Sequence, residues 1–311
     1  MLAMLIGLTI GLGLPIQTGL NSRLRRSVGS PFLASLASFT LGTLFLAVVT
    51  LLAEHQLGFS PNVFTTAPAW IWLGGLFGVI YLTGNILLFP KLGSVQTVIM
   101  PVLGQILMGL LVDNFGWFGA SVARLTVSRV LGAGLVLGGV LITVALNPWL
   151  ENHHHPVTTA RGSHKGWWRL VGVFTGMLSA SQTAVNGHLG LVLGSSLQAA
   201  LTSFLMGMLI LLVIVLATRT PFKLTQPDGR PNPWWMWVGG ALGALYVLGN
   251  VVLVQLVGTG LAVVIVLVGL MAGSLLIDQF GWLQAPRHPV TLVQLGGLLV
   301  MIIGVAVIRL L

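Results

Sequence analysis

Charge is what this chain of 311 residues has least of, with 14 Lys plus Arg, five Asp plus Glu and only 6% charged residues in all. A soluble domain carries about 25% charged residues to solvate its surface, so a disordered chain, a secreted disulfide scaffold and a cytosolic enzyme are excluded at this step. Cysteine is absent, which removes disulfides, thiolate zinc sites and a catalytic thiol. Polar stretches are scarce too: residues 54–68, 147–168 and 218–234 are the long ones, each too short for a soluble domain. The chain has no P-loop, no Ser/His/Asp set at plausible depth, no zincin helix and no GxGxxG following a strand, so no enzyme is expected. His153, His154, His155 and His164 lack a paired carboxylate or thiolate; neither a metal nor a cofactor is expected.

What the chain does have is apolar length, with 56% hydrophobic residues and a mean hydropathy of +1.00. A membrane helix needs about 20 mostly apolar residues. Ten such runs stand between polar or proline-containing breaks: Leu2–Leu20, Phe32–Ala53, Ala69–Phe89, Ser94–Val112, Thr126–Leu146, Arg169–Val185, Ser196–Ala217, Trp235–Gln255, Thr259–Ile277 and Val290–Leu311. All ten tryptophans lie within a few residues of a span end, where an apolar ring with a polar N–H belongs. The first span precedes Arg23, Arg25 and Arg26, the reverse of the charge order of a cleavable signal peptide, and is expected to be retained. The fold class is therefore an all-α integral membrane protein.

The cations set an orientation. Loops after the odd-numbered spans hold Arg23, Arg25, Arg26, Lys91, Arg161, Lys165, Arg169, Arg219, Lys223, Arg230 and Arg287, against Arg124, Arg129 and Arg309 on the other face. Lys and Arg favour cytoplasmic loops, so both termini are expected outside. The same dispersal argues against a nucleic-acid partner, which needs clustered charge.

Adding 165 to a residue number repeats the sequence. Gln17-Thr18-Gly19-Leu20-Asn21 returns as Gln182-Thr183-Ala184-Val185-Asn186, the helix ending at Asn85 returns ending at Asn250, and Asp113-Asn114-Phe115-Gly116-Trp117 returns as Asp278-Gln279-Phe280-Gly281-Trp282. From Met4 to Trp117, 37 of 114 positions are identical without a gap. The expected organisation is one five-helix repeat over 1–146, a cytoplasmic linker over 147–168 and a second repeat over 169–311. Five is odd, so the second copy enters the membrane inverted. The charges agree, since Arg23, Arg25 and Arg26 become His188, Gly190 and Leu191, while the loop after the second helix gains Arg219, Lys223 and Arg230.

The segment GLGLPIQTGLNSRLRRSVGSPFLASLASFTLGT from Gly11 to Thr43 resembles the opening of the YdcZ-like branch of the drug/metabolite transporter superfamily. The Gly-Asn ending of the third helix and the D-x-F-G-W after the fourth fit the same pattern. The resemblance covers both halves and implies a fused pair of five-helix units, ten helices in two inverted halves, transporting small solutes across a bacterial inner membrane. The second copy departs from it where Pro15 becomes Ala180 and where the arginine cluster is missing.

Candidate substrate-binding residues follow from polar side chains sharing helix faces. Gly74, Gly78, Tyr81 and Asn85 form one stripe and Gly239, Gly243, Tyr246 and Asn250 its copy; the glycines read as close helix packing, the tyrosines and asparagines as cavity lining or interhelical bonding. Gln17 and Asn21 recur as Gln182 and Asn186, with capping an equal reading for the asparagines. Gln96 and Gln105, flanking Pro101 in the fourth span, become Leu261 and Leu270, which points to an asymmetric site with the first unit specialised for recognition. No charged residue or histidine falls at the centre of a span. Asp113 and Asp278, at matching helix ends, are coupling candidates, with interfacial solvation or capping as the plainer reading. A neutral amide-lined cavity suits a polar uncharged or zwitterionic solute. The expected partners are a small-molecule substrate and the lipid bilayer, and the fused halves point to a monomeric functional unit. The rival is a membrane subunit with a structural or regulatory role and no transport.

Overall fold

The structure is a computed structural model that describes residues 1–146, 165–222, 225, 232–282 and 289–310; the side chains of residues 86, 89–90, 93–97, 145, 165 and 309–310 lie outside that description, as do the linker histidines and Gln96. Among the described residues there are nine long helices: α1 (Leu2–Val28), α2 (Pro31–Glu54), α3 (Gly74–Phe115), α4 (Val127–Leu141, continued as a π-type turn to Leu146), α5 (Lys165–Leu193), α6 (Ser196–Ala217), α7 (Val238–Val257), α8 (Thr259–Phe280) and α9 (Leu292–Leu310). Seven stretches are long and apolar enough to cross a membrane, and Leu292–Ile308 is a shorter apolar helix. α5 begins at Lys165, inside the expected linker.

The local chemistry of the turns repeats with the sequence. Gly29 and Gly194 end α1 and α5 with φ of 74° and 68°, and Gly116 and Gly281 end α3 and α8 with φ of 65° and 64°, a left-handed conformation that only glycine adopts without cost. Ser30 and Ser195 then start α2 and α6, their hydroxyls accepting from the Leu33 and Gln198 N–H groups at 3.3 and 3.0 Å, the side-chain cap a helix start needs.

One element differs from the ten-span reading. Helical residues follow one another from Gly74 to Phe115, 42 in all, where two spans with a break were expected. A straight helix of that length would reach ~63 Å, about twice the hydrocarbon thickness. Gln105 Nε2 nevertheless donates to the Tyr81 phenol oxygen at 3.1 Å, although 24 residues of straight helix would separate them by ~36 Å. α3 therefore doubles back about its middle, near residue 93, which matches Gly258, where α7 gives way to α8 at φ 79°. The two expected spans are the two limbs of one hairpin.

Pairing between halves is reciprocal. A Cβ at Gly42 would strike the Phe204 ring and one at Gly207 the Phe39 ring; Gly132 lies on Gly304 and Gly139 on Gly297. In each case the partner number falls as the residue number rises, so α2 runs antiparallel to α6, and α4 to α9. α1 lies in the crook of the α7–α8 hairpin, with Gly7 against Leu253 and Ile265, Gly11 against Val266 and Gly269, and Gln17 against Gly243. α5 lies likewise against the two limbs of α3, with Gly176 on Pro101 and Gly84 on Thr175. Lipid gives apolar helices no hydrophobic reason to associate, so small residues that let backbones approach carry this packing. α8 is the central helix: Thr259–Gly269 are all buried, as expected of a helix apolar on every side.

Candidate functional site

Each half sends its first helix into the other half's hairpin, and the two polar stripes meet at these seams. Gly74 and Gly78 of α3 leave no room for a Cβ because Asn186 and Gln182 of α5 lie over them; Gly239 and Gly243 of α7 are covered in the same way by Asn21 and Gln17 of α1. The glycines are thus packing positions, and the amides are the groups packed. Asn21 and Asn186 sit seven residues before the ends of helices that run on to Val28 and Leu193, so the capping reading is corrected: they are interhelical. Asn186 Nδ2 donates to Ser203 Oγ at 3.1 Å, while both amide atoms of Asn21 and the oxygens of Asn85 and Asn186 are buried without a protein partner. Such a group costs about 1–3 kcal/mol unless something pairs with it.

Above the amides stand Tyr81 and Tyr246, the only two tyrosines of the chain, each half-buried. Tyr81 interacts with Asn85, Gln105 and Ser179, and Tyr246 with Asn250 and the same Ser179. Asn250 turns its Nδ2 onto the Tyr246 carbonyl at 2.9 Å. Gln105, Gln182, Asn186 and Asn250 are buried, whereas Gln17, Tyr81, Asn85 and Tyr246 keep partial exposure. The structure therefore brings Tyr81, Asn85, Gln105, Tyr246 and Asn250 to one place and sets Gln17, Asn21, Gln182 and Asn186 along the seams leading from it.

Ser179 had not been singled out from the sequence. The signal was available in the repeat: its counterpart is Leu14, just as Leu270 is the counterpart of Gln105. These two polar departures from the repeat meet at Tyr81, although one lies in each half.

The coupling candidates sit apart from this cluster. Asp113, expected near the interface, is 2% exposed, because α8 starts at Gly258, which has no side chain to cap it. Asp113 supplies the cap from the other half: its two carboxylate oxygens accept the Thr259 and Gly260 N–H groups, each at 3.0 Å, and Arg129 Nη1 lies 3.7 Å away. A carboxylate at the positive end of a helix dipole is favourable. Asp278 at the end of α8 is half-buried. Glu54, also not singled out beforehand, ends α2 against the start of α6, accepting from the Ser195 hydroxyl and from Gln198 Nε2 at 2.8 Å. Positions 23 and 188 match in the repeat and pack alike, with Arg23 over Trp235 at 5.5 Å and His188 against Trp70 at 5.0 Å. Among the described residues no group of three or more His, Asp or Glu could hold a metal ion.

The family described as "Putative inner membrane exporter, YdcZ" matches residues 2–142 and again residues 167–307, the two copies offset by 165. The chain belongs to this family. No curated protein matches it. A solved structure titled only "Crystal structure of protein" superimposes with a TM-score of 0.66 at 15% identity, over 99% of this chain and 97% of that one; at this identity the likeness concerns the fold alone.

Proposed function

We propose that this member of an inner-membrane exporter family carries a small polar solute, uncharged or zwitterionic, by alternating rocking of two inverted five-helix halves. The observation that carries the reading is the meeting of repeat-equivalent Tyr81 and Tyr246 at Ser179, half-buried where the halves cross. A site on the boundary between two repeats is the place from which rocking can open it to either side.

Ten crossings follow if the two limbs of α3 count separately. Polar Ser179, Ser181, Gln182, Thr183 and Asn186 lower the hydropathy of α5, and they face protein rather than lipid. Inversion is supported by the antiparallel pairing of α2 with α6 and of α4 with α9, since equivalent helices that run in opposite directions face opposite compartments. With the basic loops inside, Glu54 and Asp113 stand at the outer end and both termini outside. Asn21, Asn85 and Asn186, with buried atoms lacking protein partners, are groups that a passing solute or water would satisfy. Gln17 and Gln182 line the seams, and Gln96 is retained from the sequence as a candidate in the second limb of α3. Because Asp113 is committed to the α8 cap, coupling to an ion gradient passes through Asp278 or is not required.

The chain contains no cysteine, so single replacements report without background. Gln17→Cys, Tyr81→Cys and Gln105→Cys are expected to react with a membrane-impermeant maleimide from one side of oriented vesicles, and from the other in a second state. Sealing of all three from both sides under every condition leaves the structural or regulatory subunit and ends the transport reading. Uptake by Asp278→Asn that equals wild-type uptake under an imposed pH gradient removes carboxylate coupling.

A further inference from the structure

The seams are equivalent by sequence offset but not in chemistry. On one, Tyr81 meets Gln105 Nε2 at 3.1 Å and Ser179, which is 2% exposed. On the other, Tyr246 also reaches Ser179 and Asn250, but its surroundings are the apolar cluster of Ile10 and Leu14, and the position of Gln105 is taken by Leu270. Thr175 replaces Ile10 in the polar copy, but its hydroxyl is taken up by the Gly172 carbonyl at 2.9 Å, whereas the Ser179 hydroxyl is turned to the tyrosines. Ser179 and Gln105, two of the polar departures, lie 74 residues apart in sequence, one on each half, yet meet on a single phenol. A polar side chain inside a membrane bundle is costly unless it serves a contact, and packing alone is met by leucine on the mirror side.

We infer that recognition is one-sided: Gln105, Tyr81 and Ser179 hold a neutral hydrogen-bonding head, and Leu14 beside Tyr246 receives an apolar body, so the cargo is an uncharged amphipathic small molecule. The inference rests on the transport reading and narrows it. No charged side chain stands at this cluster among the described residues, so neither a cationic nor an anionic head finds a partner, whereas the glutamine amide, the phenol and the serine hydroxyl each offer a donor and an acceptor. Ser179 is the specificity-determining residue that the second half contributes, where the sequence had marked the first half as the one specialised for recognition.

Benzamide is the probe, titrated calorimetrically into the whole protein in nanodiscs, with propionamide (head without body), benzoate and benzylammonium measured by competition. Benzamide is expected to bind at least tenfold tighter than each of the other three. Ser179→Leu and Gln105→Leu each weaken benzamide about tenfold, the value of roughly one hydrogen bond, and leave the benzamide-to-propionamide ratio unchanged. Ser179→Ala, which adds no volume, moves benzamide affinity in the same direction and keeps the test valid if leucine disturbs folding. Leu14→Ser instead shrinks the ratio. Absence of benzamide binding to the wild-type protein, equal binding of a charged congener, an unaltered Ser179→Ala, or a Leu14→Ser that mimics Ser179→Leu overturns the inference. Gln17→Cys labelled in the same nanodiscs separates the two levels: water access with the wrong probe pattern refutes the inference alone, and a residue sealed from both faces refutes the transport reading as well.

Discussion

Asp113→Asn tests whether the carboxylate holds the halves together or carries protons. The side chain spans two backbone N–H groups at 3.0 Å each, and no glycine at position 258 can replace it. Asparagine keeps one acceptor oxygen but turns an NH2 toward the second N–H, so one bond to a charged acceptor is lost and a donor is left facing a donor. Hydrogen bonds to charged groups contribute about 1.5–3 kcal/mol. Arg129 adds a smaller share because its guanidinium, 3.7 Å away, donates to the Ala123 carbonyl and gives the carboxylate charge attraction without a hydrogen bond. The expected loss is about 2–3 kcal/mol, or ~5 °C at the roughly 2 °C per kcal/mol of a chain this size, read by thermal unfolding in detergent micelles. Asp113→Ala, losing both bonds, falls further, by about 3–5 kcal/mol. Asp113→Asn combined with Arg129→Gln destabilises by less than the sum of the singles, because the guanidinium no longer faces a missing charge. A variant within about 1 °C of wild type whose transport has lost its dependence on a pH gradient would refute the capping argument and restore Asp113 as the coupling residue.

Other perturbations separate packing from function. Gly176→Ala drives a Cβ into the Pro101 carbonyl, whereas Gly134→Ala meets nothing within 4 Å; the first is expected to lower stability by about 1–3 kcal/mol and the second to raise it slightly through helix propensity, both by unfolding midpoint. Glu54→Gln removes a charged acceptor shared by Ser195 and Gln198 and should cost about 1–2 kcal/mol, measured in the same assay, with no change in which side labels Gln17→Cys. Gly258→Ala places a side chain at φ 79°, where non-glycine residues are strained by about 1–2 kcal/mol, and should loosen the α7–α8 turn, seen as faster amide exchange at Thr259 and Gly260.

The architecture was legible because its causes are local: apolar length, tryptophan at span ends, and turn glycines that recur at the same offset in sequence and in φ. α3 was expected as two separate spans, whereas helical residues run on from Gly74 to Phe115, and only the contact of Gln105 with Tyr81 reveals that its two ends lie side by side. What the sequence could not place was contact between distant segments. Asp113 looks interfacial when its own helix end is considered alone, and becomes buried only because α8, 146 residues away, begins with a residue that cannot cap itself. Asn21 looks like a cap until α1 is seen to continue to Val28. In both cases the missing fact was which glycine lies opposite.

A repeat does supply part of that information. Where both copies keep a residue, as with Gln17 and Gln182 or Gly78 and Gly243, the pair is explained by a contact made twice, and symmetry of packing is enough to preserve it. Where one copy departs, packing has already been solved by the other residue, so the departure needs a separate cause. Leu14 against Ser179 and Leu270 against Gln105 are two such departures, and the structure joins them at Tyr81. Restoring symmetry in either direction is then the informative experiment: making the polar seam apolar removes the head contacts, while making the apolar seam polar offers a head two places to bind and lowers the preference for a body. A purely structural origin predicts that both replacements change stability alone, with the order of probe affinities untouched.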